Sequence, residues 1–279
     1  MIEALQFDFM QNAVGAGLLA SIICGIMGTL VVVNRIVFLS GGIAHAAYGG
    51  IGLSSFFNWP YLPGTISFSV LAAILMAAVS HTMKHRADTI IGVIWAIGMA
   101  FGIILIDLTP GYNEDLMSYL FGSILAVPRS DLYIMAIIVL LIVTLTKRYY
   151  QELLAMSYDE EFAKIRGVPV KKLYFGMIVM LAVTVVLIIQ VVGLILVIAL
   201  LTIPPFIVEK YSKSLGQMMV ASSVLGACFT ITGLWLSYKY NLTSGASIIL
   251  VSGIVFLVSL VIDKIGLINH RAYRSMPKT

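Results

Sequence analysis

At 279 residues, 60% hydrophobic and only 11% charged, with a mean hydropathy of +1.03, the chain lies far from a soluble globular domain, in which roughly a quarter of residues are charged. The balance points to an all-α, polytopic helical membrane protein and away from a nucleic-acid partner. A spanning helix takes about 20 apolar residues, so this length holds about nine spans in one transmembrane domain over 1–279, with no room for a soluble domain.

In chain order the apolar segments fall at 10–33, 36–57, 62–80, 89–108, 130–146, 172–189, 191–208, 216–238 and 243–263. The start, MIEALQFDF, carries Glu3 and Asp8 and lacks the basic residues of a cleavable signal, so the first span is expected to stay. With the N-terminus outside, the inner connections hold Arg35, the pair Lys84 and Arg86, six cations between Lys147 and Lys172, the pair Lys210 and Lys213, and four from Lys264 to Lys278. That leaves Arg129 and Lys239 outside, 2 of 17. The positive-inside rule then sets the N-terminus outside and the C-terminus in the cytoplasm.

In the first span Gly15, Gly17, Gly25 and Gly28 read as close helix packing. The second segment, IVFLSGGIAHAAYGGIGLSSFF, differs. Gly41, His45 and Gly49 share one helical stripe, which leaves the ring without cover from its own helix. His45 has no ionisable companion in this span; it reads either as part of a pathway or as a side chain bonded to a neighbouring carbonyl.

Further on, Gly98 and Gly102 form a G-x-x-x-G packing face. Asp107, Glu114 and Asp115 make an acidic outer rim, or simply polar loops, and Leu116 to Ala126 is long enough for a half-helix. The stretch SYDEEFAKIRGVPV, 157–170, carries both charge signs and ends at Gly167 with Pro169 beyond, a helix stop. It reads as a short surface helix or a charged loop. Pro204 and Pro205 remove the bonds to the carbonyls of Leu200 and Leu201, so the seventh segment is expected to bend or break there, as a candidate gate hinge or a static kink. Gln190 and Thr202 are candidates for a polar route. Cys24 and Cys228 suit small buried hydrophobes better than a disulfide.

No H-E-x-x-H, G-x-S-x-G or pair of mid-span aspartates is present, so an intramembrane enzyme is not expected. His81 and His85 are spaced i, i+4, but Lys84 and Arg86 beside them suit a basic inner loop better. A secondary transporter would need ion-coupling carboxylates within the spans and no docking helix. With no G-x-x-x-x-G-K-[ST], any ATP must be handled by another chain.

The run FLSGGIAHAAYGGIGL resembles a segment of the permeases of zinc, manganese and iron ABC importers, with Phe38, Leu39, His45, Ala46, Gly50 and Leu53 matching. The resemblance continues through Asp88 to Ile106, Met117 to Val127, the 157–170 stretch and Val191 to Phe206. Glu161, Phe162, Ala163 and Gly167 occupy the spacing of the segment by which such permeases dock on their ATPase, with Phe at a position that is usually Ala. The resemblance implies a homodimeric permease in the cell membrane, paired with an ATP-binding cassette ATPase that holds the ATP. It also implies loading by an extracytoplasmic metal-binding protein and coupling through Glu160, Glu161, Ala163 and Gly167. The chain itself is expected to bind no cofactor, and its cargo is a divalent metal. Where that family commonly has Asp one turn before the histidine, this chain has Gly41; Ala44 and Gly49 also depart from the pattern. The role in cation handling therefore carries over to His45 alone, and imidazole without carboxylate tilts the expected metal toward zinc over manganese or iron.

Overall fold

The computed structural model describes residues 6–110, 122 and 124–274, the side chains of residues 81, 84 and 266–274 excepted. Glu3, Glu114, Asp115 and most of the expected half-helix lie outside the described residues; Ile124–Ala126 is a single 3₁₀ turn. The described residues form helices and no strands. They are α1 (Asp8–Val33), α2 (Val37–Phe56), α3 (Tyr61–Thr82), α4 (Ala87–Asp107), α5 (Arg129–Arg148), α6 (Tyr150–Tyr158), α7 (Glu160–Ile165), α8 (Val170–Val192), α9 (Leu194–Glu209), α10 (Leu215–Tyr240) and α11 (Ser244–Arg274).

Each apolar segment read from the sequence is occupied by a helix. Seven are long and apolar enough to cross a membrane: α1, α3, α4, α5, α8, α10 and, over Ser244–Ile265, α11. The 16-residue α9 is shorter, and α2, at 20 residues, is long enough but interrupted by glycine, serine and His45.

Two helices organise the bundle. α1 packs against α10, α9 and α5, and its glycines permit this: a Cβ on Gly25 would lie 2.5 Å from the Ser223 nitrogen, and one on Gly17 would strike Thr230. α2 packs against α4, α3 and α8. Here the G-x-x-x-G face of α4 meets the glycines of α2, since a Cβ on Gly98 would sit 3.2 Å from Ala46 Cα and one on Gly102 would meet the Tyr48 carbonyl and Gly49 nitrogen. Such close approach supplies dispersion contacts between helices where lipid removes the usual hydrophobic drive.

Cross-links sort the helix ends. Asp8 pairs with Arg129 at 2.7 Å, and Asn12 donates to the Val127 carbonyl. At the opposite end Asn34 donates to Ser157, Tyr150 accepts from the Gly216 N–H, and Lys210 pairs with Asp263. At the second end Arg35 and Lys171 line one cavity.

Candidate functional site

With α11 taken over its apolar stretch Ser244–Ile265, His45 is, among Asp, Glu, Lys, Arg and His, the side chain that lies at least two turns inside both ends of an apolar helix among the described residues. It is half-buried, and its imidazole is stacked on the indole of Trp95 from α4, with ring centroids 4.5 Å apart and planes 7° from parallel. The expected uncovered ring is therefore corrected. Its own helix leaves it open, but α4 covers one face. Trp95 also leans on Phe38, at 5.8 Å. The Nδ1 atom is buried and has no hydrogen-bond partner among the described residues, so the carbonyl-bonded reading fails for this nitrogen. A neutral imidazole oriented by a stack, with one free nitrogen, is chemically a ligand for a transition metal.

Around it the site is sparse in charge. No group of three or more His, Cys, Asp and Glu stands together among the described residues. One turn toward the basic end, a Cβ built on Gly41 meets nothing within 4 Å, so the position of the absent carboxylate is open space. At that end lies a cavity of about 760 Å³ whose lining includes Asn34, Arg35, Ser80, Asp88, Glu160, Lys171 and Tyr174.

The second predicted site is a formed element. Asp159 caps α7 by accepting from the Phe162 N–H at 2.9 Å, satisfying one of the free donors of the first turn. At its other end Gly167 takes φ +78°, its N–H donates to Lys164 and the Val168 N–H donates to Ala163, the paired bonds of a Schellman stop. Ala163 is fully buried, while Glu161 is exposed and Glu160 pairs with Lys164 at 2.6 Å. Against the usual sorting, Ile165 is 84% and Phe162 49% exposed.

Other expectations divide. α9 runs through Pro204 and Pro205 as one helix, so the expected break is absent; the Leu201 carbonyl that Pro205 leaves free is met by Gly28, whose Cβ would collide with it. Gln190 is exposed and Thr202 bonds back to the Ile198 carbonyl. Cys24 is buried, whereas Cys228 faces outward, and both are free. α3 ends at Thr82 before a 3₁₀ turn, so His81 and His85 do not share a helix face.

A bundle with seven helices long and apolar enough to cross a membrane defines a class, the polytopic helical membrane protein. The chain matches the ABC 3 transport family over residues 6–263 and belongs to it. It is 52% identical over 260 residues to an uncharacterized membrane protein of Synechocystis, covering 93% of this chain and 92% of that one. It is 32% identical over 255 residues to the manganese transport system membrane protein MntC of Listeria monocytogenes, covering 91% of each. Among solved structures it resembles PsaBC from Streptococcus pneumoniae, determined in complex with a Fab, with a TM-score of 0.83 and 34% identity over 92% of this chain and 93% of that one.

Proposed function

We propose that this chain is the permease subunit of an ABC importer that moves a divalent transition-metal cation into the cytoplasm, with manganese as its principal cargo. What carries the reading is one conjunction: a chain similar over nine-tenths of its length to a manganese transport membrane protein holds a single mid-span histidine with a free ring nitrogen. The proposed assembly is a pair of identical permeases on a pair of ATPases, loaded by an extracytoplasmic metal-binding protein. Nine crossings, N-terminus outside and C-terminus inside, put the cationic end in the cytoplasm.

In this reading ATP binding on the partner subunits is felt at α7, where exposed Phe162, Ile165 and Glu161 dock and the Gly167 stop holds the helix rigid. The cation passes His45 and leaves through the cavity beside Arg35 and Asp88. Pro204 and Pro205 are a candidate hinge at the cytoplasmic end of α9. Zinc is the second reading for the cargo, favoured by an imidazole that has lost its carboxylate at Gly41. Purification with the ATPase, followed by ATP-dependent uptake of manganese, zinc and iron into liposomes, tests both. Metal uptake that needs no ATPase would replace this reading with a secondary transporter.

A further inference from the structure

Buried hydroxyls in these helices are mostly tied to their own backbone. Ser21, Thr29, Ser54, Thr65 and Thr230 each donate to the carbonyl four residues back, the local bond by which Ser and Thr sit in an apolar helix. Four others do not: Ser69, Thr146, Thr184 and Ser222 have buried oxygens with no hydrogen-bond partner among the described residues. An unpaired buried hydroxyl costs about 1–3 kcal/mol.

Position separates the four. Thr146 sits near the end of α5, and Ser222 is on α10, which packs on α1, α9 and α11. Ser69 and Thr184, both fully buried, are on α3 and α8, and these two helices and α2 pack against one another in all three pairs. α2 carries the remaining unpartnered buried atom, Nδ1 of His45.

Contacts fix the relative depth. Along the antiparallel α2–α3 pair a Cβ on Gly42 would lie 3.3 Å from Met76 Sδ, and one on Gly50 would lie 2.8 Å from Thr65 Cα. His45 is thus level with Ala72, and Ser69 lies about 4.5 Å farther from the basic end at 1.5 Å per residue. Across the antiparallel α3–α8 pair Ser80 and Tyr174 line one cavity at the basic end. Eleven residues back along α3 is Ser69 and ten forward along α8 is Thr184, which brings the two to the same depth. All three unpartnered atoms lie within about one helical turn in depth, on three helices that share contacts.

We infer that Ser69 and Thr184 are oxygen donors beside His45 on the cation route, and that they set the preference for manganese over zinc. The inference rests on His45 being a station for the cation. A hydroxyl replaces a shed water in kind, and hard oxygen suits manganese where imidazole alone suits zinc. Neutral donors add no charge, so they hand the ion on without trapping it.

The test uses the permease reconstituted with its ATPase and compares initial manganese and zinc uptake in Ser69→Ala, Thr184→Val and Ser222→Ala. The first two remove hydroxyls from the α2–α3–α8 cluster, and the third removes an equally unpartnered one elsewhere. The manganese-to-zinc ratio should fall about five-fold in each of the first two, the loss of roughly one hydrogen bond's worth of binding, and hold in Ser222→Ala. If Thr184→Val does not fold, Thr184→Cys in a Cys24→Ala, Cys228→Ala background decides: a soft thiol on the route should make manganese uptake about ten-fold more sensitive to cadmium. Unchanged ratios and cadmium sensitivity with wild-type uptake intact would overturn the two hydroxyls and leave His45 standing. An equal fall in Ser222→Ala would also overturn them. Wild-type protein with no ATP-dependent uptake of either metal would overturn the underlying reading instead.

Discussion

Helices α2 and α7 break the rule of apolar inside and polar outside in opposite directions. α2 holds a histidine and three serines among its buried or half-buried positions and spends its glycines on letting α3 and α4 approach. The six-residue α7 stands at the surface with Ile165 and Phe162 turned outward. Neither arrangement stabilises the isolated chain. Polar groups left unpaired in an apolar interior, and large apolar groups left in water, are sites that await a second component. On the proposed reading that component is the cargo for α2 and a partner surface for α7.

The largest effect expected from this contrast is structural and belongs to α2. A Cβ on Gly52 would meet the backbone of Gly102, at 2.7 Å from its Cα, and neither backbone has a rotamer to move. Gly52→Val should abolish folded protein, read as loss of the monodisperse peak after detergent extraction. The same residue at Gly176 of α8, where a Cβ meets nothing within 4 Å, should leave the peak intact. Equal yields from the two would show that α2 and α4 do not depend on their close approach.

Next come the two residues proposed to act in transport and coupling. His45→Ala removes both the nitrogen and the stack on Trp95, the latter worth about 0.5–1.5 kcal/mol. His45→Phe keeps a ring for the stack and removes the nitrogen. Metal uptake should fall about ten-fold or more in both, the scale of losing one good ligand; full uptake in the Phe variant would return His45 to packing. At α7, Gly167 has φ +78° and a Cβ added there would meet nothing within 4 Å, so a side chain there meets strain from the backbone and no clash. Gly167→Val should let ATP hydrolysis proceed without uptake, while Gly167→Asn, which tolerates the left-handed region, retains coupling. Uncoupling by Asn as strong as by Val would assign the loss to the side chain itself.

Gly41→Asp sharpens the question of cargo. The open space at this position admits a carboxylate without displacing a neighbour, one turn from His45. Added hard, charged oxygen should raise manganese uptake relative to zinc about two- to three-fold. A fall in both metals, with protein yield unchanged, would place the cation path away from this face of α2.

Most helices were legible because each apolar run ends at a polar or glycine-rich turn. α1 was expected over 10–33 and spans Asp8–Val33, and α2 over 36–57 spans Val37–Phe56. α6, Tyr150–Tyr158, has no apolar run to announce it. Hydropathy did not reveal which helices are enclosed: 17% of the α5 span is buried against 67% of α1, because lipid and protein neighbours ask for the same side chains. The site was legible only as far as one chain segment reaches. His45 and the Gly167 stop are local patterns, whereas Trp95 joins His45 through helix packing that no spacing encodes. That α9 runs on through two prolines, where a bend or a break was expected, has the same origin: neighbouring helices hold what the missing bonds would otherwise release.

The smallest effect concerns how so short a helix as α7 persists. Six residues are too few for a helix to stand alone in water, so α7 depends on its two ends and on buried Ala163. Its internal Glu160–Lys164 pair is 38% and 55% exposed and, like other i,i+4 pairs, contributes a few tenths of a kcal/mol at most. The Asp159 cap is worth about 1 kcal/mol, and the Schellman stop remains when it is lost. Asp159→Ala should therefore loosen the first turn of α7 and weaken co-purification of the ATPase only about two- to five-fold, the factor that about 1 kcal/mol allows. Asp159→Asn restores a capping oxygen without the charge and should recover binding. If Asn fails where Asp succeeds, the carboxylate acts on the partner surface directly; if Ala binds as well as wild type, docking does not require a preformed α7.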